Sequence, residues 1–85
     1  MNEFDQYPQR VPLKVVGENG EILRESLNTA LVRHLPPGTT IEFETRESSA
    51  GNYVALTATF TAESREQLVA VYEELRECEA VRFLL

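Results

Sequence analysis

Between Thr39 and Ala62 the chain twice adopts a strict two-residue period, on either side of Ser48-Ser49-Ala50-Gly51-Asn52, and no other stretch limits the fold as much. Before the turn, Ile41, Phe43 and Thr45 alternate with Glu42, Glu44 and Arg46. After it, Val54, Leu56, Ala58 and Phe60 alternate with Ala55, Thr57, Thr59 and Thr61. Successive side chains of a strand point to opposite faces, so each run predicts a strand with one buried face. The second run is also rich in β-branched residues, which suit a pleated surface. The connecting segment has turn chemistry. Gly51 can take φ > 0 without steric cost, Asn52 tolerates that region, and Ser48 and Ser49 can bond the local backbone ahead of Tyr53. The pair reads as a hairpin around which the rest is wrapped.

Eighty-five residues make one small domain. A chain of this size buries roughly 60–65% of its unfolded surface, so a partner copy would help its stability. With 42% hydrophobic and 26% charged residues the chain is composed like a globular protein, despite a formal charge of −6. Eight Lys and Arg residues stand singly among fourteen carboxylates. That acidic balance repels phosphate backbones, and no nucleic-acid partner is expected. Cys78 is the single cysteine and His34 the single histidine, so neither an internal disulfide nor a Cys/His zinc site can be assembled. No metal and no cofactor is expected, and a lone thiol suits a reducing cytoplasm. No apolar run approaches the ~20 residues of a membrane span and no export signal is apparent, so no membrane partner is expected.

Residues 1–10 read as a short polar arm with Phe4 and Tyr7 as anchors, and residues 11–85 as the domain. Val11 to Val16 predict the first strand, with Val11, Leu13 and Val15 buried and Pro12, which has no N–H, placed at its beginning. Gly17-Glu18-Asn19-Gly20 is a strand-to-helix turn with Asn19 as candidate N-cap. Leu23, Leu27, Ala30, Leu31 and His34 recur at helical steps, predicting a helix over 21–35 that Pro36-Pro37-Gly38 ends. Ser64-Arg65-Glu66-Gln67 matches a capping box, with Gln67 expected to reach back to the cap residue's own N–H. Leu68, Val71, Tyr72 and Leu75 line one face of the helix that follows, which ends near Cys78. Ala80 to Leu85 predict a last strand with Val81, Phe83 and Leu85 inward. The order β-α-β-β-α-β predicts an α+β, ferredoxin-like sandwich: a four-stranded antiparallel sheet with both helices on one face. In that arrangement the strand at 41–46 lies at an edge, which Glu42, Glu44 and Arg46 would blunt.

This fold hosts many functions, and each makes demands on particular residues. A soft-metal carrier needs paired thiols in the first strand-to-helix loop, where Gly17-Glu18-Asn19-Gly20 has none. An RNA reader needs stacking aromatics on the central strands, where only Tyr53 and a row of threonines stand. A phosphate-cradling hydrolase would place arginine where Glu18 stands. No catalytic residue is identified, and the protein is expected not to be an enzyme. His34 reads as a helix-end cation or packing residue, and Cys78 as a small, partly buried helix-end residue. The Gly17–Gly20 turn is the candidate ligand loop, since a helix N-terminus can bind a carboxylate.

Leu13-Lys14-Val15-Val16-Gly17, Ser48-Ser49-Ala50-Gly51-Asn52-Tyr53, Glu66-Gln67-Leu68 with Val71-Tyr72-Glu73-Glu74-Leu75, and Val81-Arg82-Phe83-Leu84-Leu85 together resemble the YbeD-like family of small bacterial proteins of unknown function. The likeness runs nearly the whole length of the chain, and the Ser-Ser-x-Gly-Asn-Tyr turn is its most specific part. That family's fold is similar to the ACT domain, a module that senses amino acids. The resemblance therefore implies a stand-alone, cytoplasmic, ACT-like regulatory protein that pairs with itself. An amino-acid-like ligand would lie at Gly17, Glu18, Asn19 and Gly20, where Gly17 matches the loop glycine and the Asp-x-Pro-Gly pattern is absent. Two readings stay open: a ligand-sensing module that self-associates and binds a protein partner, and a plain protein-interaction domain without a ligand. Self-association is expected through the sheet face left bare by the helices, on Val16, Tyr53, Ala55, Thr57, Thr59 and Leu84.

Overall fold

A computed structural model describes residues 6–48 and 50–85. Phe4 and Ser49 lie outside the described residues. The elements run β1 (Gln9–Gly17), α1 (Gly20–His34), β2 (Glu42–Glu47), β3 (Val54–Ala62), α2 (Arg65–Arg76) and β4 (Phe83–Leu84). The strands form one antiparallel sheet in the order β2-β3-β1-β4, the ferredoxin-like arrangement expected from the pattern. β1 and β3 pair from Gln9 opposite Ala62 to Gly17 opposite Val54, and this long central ladder carries the molecule.

The period-2 and period-3.6 stripes meet in one core. Leu13 and Val15 of β1, Leu56, Ala58, Phe60 and Ala62 of β3, Leu23, Leu27, Ala30 and Leu31 of α1, and Val71 and Leu75 of α2 are all buried. Phe43, Leu68, Tyr72, Val81 and Leu84 pack against that cluster while remaining partly exposed. Tyr7 joins them from the arm, and Gln9 and Arg10, counted with the arm in the sequence, are the first residues of β1.

The helix ends follow the capping chemistry. Asn19 is the N-cap of α1, its Oδ1 accepting the N–H groups of Glu21 and Ile22 at 3.1 Å each. Ser64 caps α2, its Oγ accepting the Gln67 N–H at 3.1 Å. The return bond differs from the expected box. Gln67 Oε1 accepts the N–H of Glu63 at 2.7 Å, one residue before the cap, while its Nε2 donates to the His34 carbonyl at 3.1 Å. Gln67 therefore caps α2 and ties it to the end of α1 at once.

Two expectations for the strands are corrected. Pro12 is the fourth residue of β1, opposite Thr59, rather than at the strand's beginning, because the strand starts at Gln9 and not at Val11. The carbonyls of Lys14 and Val16 accept N–H groups of Leu85 and Arg82, so even-numbered residues of β1 direct their backbone toward β4. Pro12 shares that direction but lies beyond the end of two-residue β4, and its missing N–H breaks no ladder bond. In β4 the faces are reversed. Leu84 opposes Val15 and packs on the core, whereas Phe83 opposes Val16 on the bare face. Phe83 is 57% and Leu85 66% exposed, and Leu84 leaves the set assigned to the bare face.

Candidate functional site

The first strand-to-helix loop is built by contacts within the fold. A Cβ on Gly17 would collide with the Ala80 carbonyl oxygen and lie 3.1 Å from a Leu23 methyl, so the connection into β4 closes directly over this glycine. Glu18 Oε2 accepts from Arg82 Nε and Nη2 at 3.1 and 2.8 Å, joining the loop to the strand beside it. Asn19 is occupied as the N-cap, and Leu23 N–H donates to its carbonyl at 2.9 Å. A Cβ on Gly20 would rest in ordinary contact with Val54. The structure thus gathers Gly17, Glu18, Asn19 and Gly20 in one place, each engaged with its own fold.

The hairpin turn is equally self-contained. Ser48 N–H donates to the Tyr53 carbonyl at 2.9 Å, Gly51 N–H to the Ser48 carbonyl at 3.0 Å, and Tyr53 N–H to Ser48 Oγ at 3.2 Å. Gly51 has φ +73°, while Asn52 does not enter the left-handed region. Space for a methyl exists there, so the penalty of a side chain is conformational. Gly51→Ala is therefore expected to lower stability by about 1 kcal/mol in urea denaturation while binding to any partner is retained. Unchanged stability with lost binding would make the turn a contact surface.

At the far ends of the helices, His34 Nε2 lies 2.8 Å from Glu74 Oε1 and Arg33 Nη1 lies 3.7 Å from Glu74 Oε2, so one carboxylate joins α1 to α2. The Cys78 Sγ donates to the Glu74 carbonyl at 3.5 Å. Burial and the Glu74 charge push the Cys78 thiol up, which disfavours the nucleophilic thiolate. Among the described residues, no group of three or more His, Cys, Asp or Glu side chains could hold a metal, and no helix is long and apolar enough to cross a membrane.

The feature that sequence reading half missed is on the bare face of the sheet. The Tyr53 and Phe83 rings meet edge to face with centroids 6.3 Å apart, at the end of the sheet where β1 meets β4. Exposed Leu85 lies two residues beyond Phe83, and half-buried Val16 and Ala55 lie opposite each other across the β1–β3 ladder. Tyr53 was legible from the alternation. Phe83 was not, because a two-residue strand has no period. Toward the other edge the face turns polar: Lys14, Glu44, Arg46, Ala55 and Thr57 line a shallow cavity of about 150 Å³, and Arg10 pairs with Glu42 at 3.2 Å.

Comparison with known proteins returns the small bacterial family that the sequence resembles. Residues 2–85 match the family described as protein of unknown function (DUF493). The chain is 36% identical over 83 residues to a UPF0250 protein of Chromobacterium violaceum, spanning 98% of this chain and 93% of that one. It is 39% identical over 80 residues to a UPF0250 protein of Leptothrix cholodnii, spanning 94% and 88%. A UPF0250 protein of Janthinobacterium sp. strain Marseille is 38% identical over 91 residues, with 100% of both chains covered. Among solved structures, the solution structure of protein HP0495 from H. pylori superposes with a TM-score of 0.76, covering 94% of this chain and 84% of that one. At 14% identity that likeness speaks for the fold alone. The family match along nearly the whole chain and this set of full-length relatives place the protein in the DUF493 family.

Proposed function

We propose that the protein is a non-enzymatic, ACT-like regulatory module of the cytoplasm that associates with a second copy of itself and binds a protein partner, and that it meets that protein partner with the bare face of the sheet. The observation that carries this reading is the exposed Tyr53–Phe83 ring pair, with exposed Leu85 two residues on, on a face that no helix of the described residues covers. Aromatic side chains standing clear of a small domain are the usual anchors of a protein contact. The engagement of Glu18 by Arg82 and of the Glu21 and Ile22 amides by Asn19 favours this over an amino acid held at the Gly17–Gly20 loop.

Two measurements test the reading. Thermal denaturation with each free amino acid should leave the midpoint unchanged. A ligand present at a hundred times its dissociation constant would add about 2.7 kcal/mol, and such a shift would return the function to the loop. A photo-crosslinking side chain at Phe83 should trap a discrete protein in living cells, while one at Val32, exposed on α1, should not. Adducts from Val32 and none from Phe83 would move the working surface to the helical side.

A further inference from the structure

We infer that the outer edge of β2 is a pairing edge for a second copy of this chain, joined antiparallel about a two-fold axis at Thr45. This deepens the interaction-module reading by giving its self-association a geometry, and it leaves the Tyr53–Phe83 face clear for a different partner.

The inference begins from the backbone. β2 is one of the two edge strands of the sheet, bonded to β3 on one side. Ser48 N–H donates to the Tyr53 carbonyl, so Ser48 and, with the two-residue period, Arg46 and Glu44 direct their backbone groups toward β3. Phe43, Thr45 and Glu47 therefore direct theirs outward. An added antiparallel strand must set outward-pointing residues opposite one another, and a strand meeting its own copy can do so in a few registers only.

Charge selects among them. With the two-fold axis at Phe43, Glu42 would face Glu44 of the second copy; at Glu44, two Glu42–Arg46 pairs would flank a Glu44 facing its own duplicate; at Arg46 or Glu47, that residue would face its own duplicate. Like charges directly opposite are destabilising. With the axis at Thr45, Glu44 faces Arg46 of the second copy twice over, on the bare face of the sheet. Thr45 then faces its own duplicate across a bonded pair, a favourable match for threonine. On the helical face, Phe43 faces Glu47 of the second copy. The Arg24 guanidinium already lies 4.5 Å above the Phe43 ring, so an incoming carboxylate meets a cation held in place. Glu44, Thr45, Arg46 and Glu47 are all exposed. The charges that protect this edge from unrelated strands thus favour the Thr45 register, where opposite charges meet and no like charges stand directly opposite.

Sedimentation equilibrium from micromolar to millimolar concentration, read with circular dichroism, tests it. The wild-type chain should reach a monomer–dimer equilibrium. Arg46→Glu should weaken the dimer by about tenfold or more, and Glu44→Arg combined with Arg46→Glu should restore it. Thr45→Pro removes an outward N–H and leaves the β2–β3 ladder intact, so it should give a folded monomer. A wild-type monomer at every concentration, a dimer indifferent to Thr45→Pro, or a charge swap no better than the single change would each overturn the inference. A dimer lost in Phe83→Glu and kept in Thr45→Pro would overturn it in favour of pairing through the bare face. Crosslinking from Phe83 reads the partner surface separately, so either idea can fail without the other.

Discussion

Phe60→Ala is expected to lower the free energy of unfolding by about 3–5 kcal/mol, and Leu56→Ala by about 2–5 kcal/mol. Both side chains are buried on β3, a central strand, opposite Val11 and Val15 of β1 respectively. Each touches the layer where sheet and helices meet, so truncation leaves a cavity bounded by elements that cannot all move inward. A small domain starts with about 5–15 kcal/mol, so either change should shift the urea midpoint far toward zero or unfold the chain. Thr59→Ala, one residue from Phe60 on the opposite face, is the matched control and should change little. Losses under 1 kcal/mol at both Phe60 and Leu56 would mean that the buried face of β3 has been misassigned.

Gly17→Ala is the second large effect, and its cause is contact rather than conformation. Gly17 does not have a positive φ, yet an added Cβ would collide with the Ala80 carbonyl oxygen. That atom belongs to the backbone and cannot swing aside as a side chain would. Overpacking typically costs about 1–3 kcal/mol, and relief here requires the connection between α2 and β4 to lift away. The Arg82 N–H bond to the Val16 carbonyl, 2.8 Å long, lies beside that contact. Hydrogen exchange should therefore show the Arg82 and Leu85 amides losing protection in Gly17→Ala before the β1–β3 ladder does. Wild-type stability with Arg82 still protected would show that the close approach is not a constraint.

The two predictions differ in how readily the sequence announces them. Phe60 sits in a nine-residue strand whose alternation is unbroken, and its burial follows from periodicity. The same holds for Leu23, Leu27, Ala30 and Leu31 on α1, and the Asn19 and Ser64 caps follow from side-chain chemistry. Gly17 also attracts notice in the sequence, but as a turn residue beside a helix N-terminus. Its role depends on Ala80, brought to it by the whole path of α2, and no local pattern reports such a contact. Phe83 and Leu84 exchange faces for a related reason. β4 has two residues, so its register is set by backbone bonds to Lys14 and Val16 rather than by an apolar stripe. Pro12 misleads because a ladder-breaking residue is harmless where the neighbouring strand has already ended. The paired face and loop of the candidate site were thus legible as places, while what occupies each group in them needed the three-dimensional path.

Gln67 carries a consequence for which residues are interchangeable. Helix-capping rules treat glutamine and glutamate at the third helical position as equivalents, since either supplies an acceptor to the incoming chain. Here the acceptor half of the amide serves Glu63 and the donor half serves the His34 carbonyl at the end of the other helix. A carboxylate would keep the first bond and turn an oxygen toward the second, where two acceptors would face each other. One atom exchanged for its isostere would leave α2 capped yet repel it from α1. At this position, the choice between two nearly superimposable side chains is made by an element more than thirty residues away.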